Sequence, residues 1–183
     1  MAARHRLVTP PAVEPVSLAE AKRHVYVDHD ASDDDLERMI ASARQVCEQW
    51  TRRAFIEQTW EISWGYGDVP PMTLRLPRRP AISISQIATY DTAGVPTIWA
   101  ASNYALDGDD LRVKLASAWP YGTRETAPLV LTYKAGYGAT ADDVPQAIRD
   151  AILEVVRAQF EREPQKLTRA AKDLLAPFRV YAR

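Results

Sequence analysis

SDDDLERMIASARQVCEQWTRR, residues 32–53, carries a pattern that only one kind of element satisfies. Leu36, Met39, Ile40, Ala43, Val46, Cys47 and Trp50 recur at steps of three and four, which places them on one face of a 3.6-residue helix. Ser32 stands where an N-cap belongs, with Asp33, Asp34 and Asp35 in the first turn and Arg52 and Arg53 at the other end, each suited to the macrodipole. A segment of period two cannot supply this seam. The rest of the chain must therefore cover the apolar face or continue from the helix ends.

Bulk properties set the frame for that helix. A chain of 183 residues with 46% apolar residues is long enough to bury a sizeable core, as one domain or a core carrying an insertion. A net charge of −1 argues against a protein that mainly coats nucleic acid or binds anionic membrane. The lone cysteine, Cys47, falls on the apolar face and reads as a small buried hydrophobe, not a nucleophile. MAARHRLVTPPAVEP lacks the apolar run of a signal peptide and no segment approaches a membrane span, so folding in a reducing cytoplasm is expected.

Upstream of the long helix, Pro10, Pro11 and Pro15 favour an extended lead over the surface. Ser17-Leu18-Ala19-Glu20 is a capping box opening a short helix with Leu18, Ala21 and Val25 inward. From Thr59 the period changes to two. Trp60, Ile62 and Trp64 alternate with polar residues, and Met72, Leu74 and Leu76 do the same. Ile82, Ile84 and Ile87 alternate with a break at Ser85 and Gln86 that predicts a bulge. Residues 88–91 and 95–99 flank the turn Thr92-Ala93-Gly94, residues 104–106 and 111–115 flank Asp107-Gly108-Asp109-Asp110, and residues 129–133 form a last strand.

Helical period returns at Asp143, expected as an N-cap, with Pro145 tolerated in the first turn. Val144, Ile148, Ala151, Ile152, Val155 and Ala158 share one face, which Leu153, Val156 and Phe160 widen. Such a helix is either central to its domain or shared with a neighbouring subunit. Pro164 should end it, and Thr168 should cap a final short helix with Ala171, Leu174 and Leu175 inward, stopped by Pro177. The fold class is α+β: a core of four helices with a small antiparallel sheet or sandwich inserted between the second and third. Residues 1–56 and 142–183 make the two halves of the helical core, and 57–141 the β insertion.

The motifs that carry chemistry are few. The acidic run at Asp28, Asp30 and Asp33 to Asp35 fails as a calcium loop, because Asp33 sits where glycine is needed and Met39 where the bidentate glutamate belongs. His5, His24 and His29 share no ligand spacing with Cys47, and Gly136-Tyr137-Gly138 reads as a turn, since no phosphate-binding lysine follows it. RLPRRP reads as a solvated basic loop. No catalytic, metal-binding or cofactor-binding residue is assigned, no cofactor is expected, and the chain reads as a non-enzyme.

The C-terminal segment stands apart. Leu174, Leu175, Phe178, Val180 and Tyr181 are a dense apolar set for a chain end, whose ordering requires a preformed groove in its own core or in a partner. After Phe160 the basic Arg162, Lys166, Arg169, Lys172, Arg179 and Arg183 outnumber Glu161, Glu163 and Asp173, whereas residues 28–37 are acidic. Complementary ends on one chain suit head-to-tail assembly, which closes into a ring when the rotation permits.

PVSLAEAK (15–22), the acidic loop, EQWTRR (48–53), RLPRRPAISISQIATYDTAG (75–94), WP (119–120), YKAGYG (133–138) and DDVPQAIRDAIL (142–153) follow one another in an order that resembles the head-to-tail connector, or adaptor, proteins of long-tailed phages, prophages and gene transfer agents. The resemblance runs over nearly the whole chain. It implies a virion protein, made and assembled in the bacterial cytoplasm, that forms a twelvefold ring under the portal. That ring joins the DNA-filled head to the stopper or tail-completion protein, with DNA only passing through its lumen and no membrane involved. On this resemblance Leu175, Phe178, Arg179 and Tyr181 are expected to contact the portal ring. Subunit contacts are expected from the face of residues 144–161, including Val156, Arg157 and Phe160, with Asp34 and Asp35 of the acidic loop opposite Arg157. Because the portal supplies template and effective concentration, a monomer in isolation is compatible with this reading. Two competing readings are a small β-rich ligand-binding enzyme or accessory protein using Trp60, Trp64, Trp99 and Trp119, and a DNA-binding module using the arginines near Arg78.

Overall fold

The structure, a computed structural model, describes residues 3–161 and 167–181. Pro164, with Arg162, Glu163, Lys166 and Arg183 of the basic segment, lies outside the described residues. The chain forms two compact units: one from residues 11–56 and 137–183, the other from residues 1–10 and 57–136.

In the first unit, α1 (Leu18–His24) opens with the capping box expected of it: the Glu20 amide donates to Ser17 Oγ at 3.3 Å, and the Ser17 amide donates to the Glu20 carboxylate at 2.9 Å. Burial opposes the charge on Glu20, but the Ser17 hydrogen bonds and Arg149 at 2.6 Å outweigh it and hold its carboxyl below the usual range. The seam helix α2 spans Asp33–Thr51. Ser32 occupies the N-cap position without capping through its side chain. Its ψ of 9° departs from the extended values of 157° at Ser17 and 161° at Thr168, whose hydroxyls cap α1 and α4. Instead the Asp33 carboxylate meets Lys22 at 2.8 Å. At the far end Thr51 Oγ1 donates to the Cys47 carbonyl at 2.8 Å and Arg52 turns the chain through the left-handed region at φ 59°, so the two arginines follow the last turn instead of lying in it.

Helix α3 (Gln146–Phe160) begins later than its sequence suggests. Asp143 closes a box with Thr140 around the 3₁₀ turn Ala141–Asp143, and Val144, which precedes a proline, is extended at ψ 127°. Gly138 is required beside that turn, since a Cβ there would meet the Asp143 carboxylate at 2.3 Å. The wide apolar face of α3 is central to its own unit. Ile148, Ala151, Ile152, Val155, Val156 and Ala158 are buried where α3 packs on α2 and on α4 (Arg169–Leu175). Thr168 caps α4, accepting from the Ala171 amide at 3.1 Å.

Two charged residues of α2 are buried with the seam. Arg44 Nε donates to Glu14 at 2.7 Å and its Nη1 to Glu48 at 2.8 Å, while Glu48 also accepts the Phe55 amide at 2.9 Å. The lead before α1 is thus tied to the Arg44 guanidinium directly, and the chain leaving α2 is tied to it through Glu48.

Among the described residues the second unit holds eight strands in two antiparallel sheets. Numbered along the chain, they are β1 (Arg4–Thr9), β2 (Gln58–Trp64), β3 (Thr73–Arg75), β4 (Ala81–Tyr90), β5 (Pro96–Ile98), β6 (Tyr104–Asp107), β7 (Asp110–Val113) and β8 (Leu129–Ala135). One sheet has the order β1-β2-β8-β4-β5 and the other β3-β7-β6. The last strand in sequence lies at the centre of the larger sheet, which accounts for its nearly continuous apolar run. The register of β4 against β8 shifts between Ile84 and Gln86, the bulge expected at Ser85. In the β4–β5 turn, Asp91 accepts the amides of Ala93 and Val95, and Gly94 supplies φ 81°.

The lead departs from the sequence expectation. Residues 4–9, read as an extended surface segment of the helical half, pair with β2 in the sheet unit. All six are exposed, so no apolar alternation marks them as a strand.

Two outcomes follow for the helical unit. Replacing Glu48 by Ala leaves buried Arg44 with one carboxylate and Phe55 without its acceptor, and should lower stability by about 3 kcal/mol, read from the urea midpoint. Burial, with the Glu48 carboxylate adding, pushes the Cys47 thiol up to about 12, so it should resist Ellman's reagent at pH 8 until denaturant is added.

Candidate interaction surface

The surface singled out in the sequence lies where α2 ends. After α4 the 3₁₀ turn Ala176–Phe178 brings the chain back: Arg53 Nε donates to the Phe178 carbonyl at 2.6 Å, and the Val180 amide donates to the Thr51 carbonyl at 3.0 Å. Thr51 is in the last turn of α2, whose carbonyls lack helical partners, so the C-terminal segment completes that helix. The Arg179 guanidinium lies over the Trp50 ring at 4.7 Å and near the Tyr181 ring at 5.1 Å. Arg53 faces Tyr137 at 6.0 Å. Arginine and aromatic faces thus alternate around the negative end of the α2 dipole.

The residues expected to contact a portal divide accordingly. Leu175 is fully buried in the core and is no accessible anchor. Phe178 is half-buried against the same core. Arg179 and Tyr181 are exposed, Tyr181 at 68%. The groove that the segment needs is therefore in its own unit.

The residues expected between subunits divide in the same way. Val156 is buried in the core, which removes it from any surface, and Phe160 is half-buried against that core. Arg157 is exposed but engaged along its own helix with Glu154 at 3.2 Å and Glu161 at 4.0 Å. Asp34 and Asp35 are exposed at the opposite end of α2 from Arg52 and Arg179, and Asp35 pairs with Arg38. A helix of 19 residues spans about 28 Å, so the two charged ends of this unit are well separated. Sequence reasoning missed the Trp50–Arg179 stack and the buried Arg44–Glu48 pair. Neither leaves a signal, because the stack joins distant positions and the ion pair has the same i, i+4 spacing as a solvated one.

In the sheet unit three of the four tryptophans offered as a ligand site come together, with centroids 6.0 Å apart for Trp64–Trp119 and 5.5 Å for Trp99–Trp119. They pack on one another, and Trp119 Nε1 donates to the Pro71 carbonyl at 3.1 Å. Trp60 is apart from them, under Arg78 at 4.9 Å. A cleft of about 340 Å³ is lined by Arg4, Trp64, Tyr66, Asp68 and Glu125 among others. Among the described residues no group of three or more His, Cys, Asp or Glu is placed to hold a metal ion, and no helix is long and apolar enough to cross a membrane.

Comparison with solved structures follows this geometry over the whole chain. A chain in the neck of an empty GTA particle computed with C6 symmetry superimposes with a TM-score of 0.80 at 20% identity, covering 98% of this chain and 97% of that one. This chain has the fold of a gene transfer agent particle component. A chain in the virion of a native gene transfer agent particle gives a TM-score of 0.78 at 21% identity over 98% and 96%, and one in the neck of a native GTA particle computed with C12 symmetry gives 0.72 at 20% over 100% and 97%. No protein-family model and no curated protein matches the chain. The fold shared with these particle chains includes both the helical unit and the sheet unit, since the alignment leaves almost nothing out.

The stack at the end of α2 sets a local expectation. Arg179→Ala should cost about 0.5 to 1 kcal/mol through loss of the cation–π contacts, whereas Tyr181→Ala should cost less, as measured by thermal unfolding.

Proposed function

We propose that the chain is a structural neck protein of a tailed phage or gene-transfer-agent-like particle, acting as the head-to-tail connector that forms a ring beneath the portal and joins the DNA-filled head to stopper and tail. The observation that carries this reading is the full-length likeness to a neck chain, at a TM-score of 0.80 with 97% of that chain covered. The C6 and C12 symmetries of those particles support a closed ring, twelvefold where it matches a portal. Its function is then mechanical. It is carried out by surfaces that bind protein, in the virion, after synthesis in the host cytoplasm, with DNA passing through the lumen and no chemical step.

Within that reading the portal contact falls to Arg179 and Tyr181, with the open side of Phe178 beside them. Arginine and tyrosine suit such a role because they present large, preorganised faces that lose little entropy on docking. Between subunits, the exposed carboxylates of Asp34 and Asp35 meet Arg157 of the next copy, with the outer edge of Phe160 adjoining. The mutual stacking of Trp64, Trp99 and Trp119 leaves less aromatic surface for a ligand and weighs against the ligand-binding alternative.

The test is to mix the protein with rings of its cognate portal and examine sedimentation and electron micrographs. The full chain should co-sediment and add a ring of density to one face of the portal. A chain truncated after Phe178 should keep its circular-dichroism spectrum and lose co-sedimentation. A full chain that never binds portal overturns the connector reading, and a truncated chain that binds undiminished overturns the portal contact.

A further inference from the structure

The five-stranded sheet treats its two edges differently. β5 is three residues long and begins with Pro96, which has no amide hydrogen, so that edge is blunted in the usual way. The other edge is β1, six residues without proline. Every residue of β1 is exposed, Leu7 and Val8 included at 41% and 46%, so the strand is held by its ladder to β2 and by Arg6–Glu61 at 3.0 Å, with little core burial. Such an element leaves its sheet at small cost.

Its covalent tie runs the other way. Four residues after Thr9, Pro10-Pro11-Ala12-Val13, the chain is anchored in the helical unit by Glu14 on Arg44 and by buried Val16. β1 therefore completes the sheet unit while hanging from the helical unit on a short hinge, half of which is proline. Proline stiffens a hinge toward the extended form and resists folding back, the circumstance that favours exchange of an identical element between copies.

We propose that β1 is an exchangeable strand, and that residues 4–9 of one copy pair with the β2 edge of the next. The occupant is a second copy because its β1 reproduces each contact of the closed form, including Arg6 on Glu61, so that only association entropy opposes the exchange. In an assembled ring that entropy is offset by high effective concentration. Stacking of a further β1 outside the first is disfavoured, since Arg4 and Arg6 would face their own kind. Where the copies meet rests on the ring reading; the exchange itself is measurable without rings.

The test uses the register Arg6↔Glu61 and, independently, Arg4↔Ser63. Chains with one introduced cysteine each, Arg6→Cys and Glu61→Cys, with buried Cys47 left in place, are mixed at high concentration and also on portal rings, then oxidised and run on non-reducing gels. The expected result is a disulfide heterodimer from the mixture, and a ladder of linked chains from assembled Arg6→Cys/Glu61→Cys. Inserting Gly-Ser-Gly-Ser between Pro10 and Pro11 should lower the heterodimer yield severalfold. The Arg4→Cys and Ser63→Cys pair repeats the measurement at a second position. Disulfides that close only within single chains, in concentrated protein and in rings seen by microscopy, overturn the exchange and leave the connector reading intact. Heterodimers without portal-bound rings sustain the exchange and remove the connector reading. Double-cysteine chains that close at neither position, within or between copies, also overturn it.

Discussion

A guanidinium sealed inside an apolar seam is the constraint on which the helical unit depends. Arg44 lies on the buried side of α2, where an uncompensated charge would cost several kcal/mol. Burial opposes the charge on Arg44, yet the hydrogen bond to Glu14 and the field of Glu48 outweigh it and raise its pKa. Glu48 in turn accepts the Phe55 amide. One charged cluster therefore fixes three segments: the lead before α1, the middle of α2 and the chain just after it. Hydrophobic burial alone would hold these segments together without fixing their register, because apolar contact is not directional.

The apolar seam and the charged cluster divide the work. Leu36, Ile40, Ala43 and Cys47 on α2, with Ile148, Ile152, Val155 and Val156 on α3, remove a broad area from water. The C-terminal turn then closes the end of α2, using backbone groups the helix leaves open and the Arg179 guanidinium over Trp50. That closure explains an otherwise unusual density of apolar residues near the chain end. Those side chains are divided between core and surface, Leu175 inside and Tyr181 outside, so a single segment both completes the fold and leaves an exposed aromatic face.

The sheet unit is built on non-local pairing. β8 joins β2 on one side and β4 on the other, so the larger sheet cannot close until its last strand is made. β1 adds to the outside of this arrangement without entering it. The larger sheet is therefore complete in its core and open at its β1 edge. The likeness to a neck chain of a gene transfer agent particle extends over this unit as well as the helical one.

The sequence by itself determined the local elements, because each rests on short-range physics. The capping box at Ser17 and the hydroxyl cap at Thr168, the apolar period of α2 and α3, the bulge at Ser85 and the glycine turns at Gly94 and Gly108 all follow from residues within a few positions of one another. From these came the α+β class with a β insertion between the second and third helices. Of the residues expected to meet a partner, Arg179 and Tyr181 are exposed, as such a role requires. What only the tertiary structure decided were pairings between distant segments. They are β1 on β2, the burial of Arg44 with Glu48, the stacking of Arg179 on Trp50, and the removal of Leu175 and Val156 into the core. No periodicity announces them, since β1 buries neither face and a buried ion pair is spaced like any other on a helix. Their energy comes from neighbours that the chain meets only once it is folded.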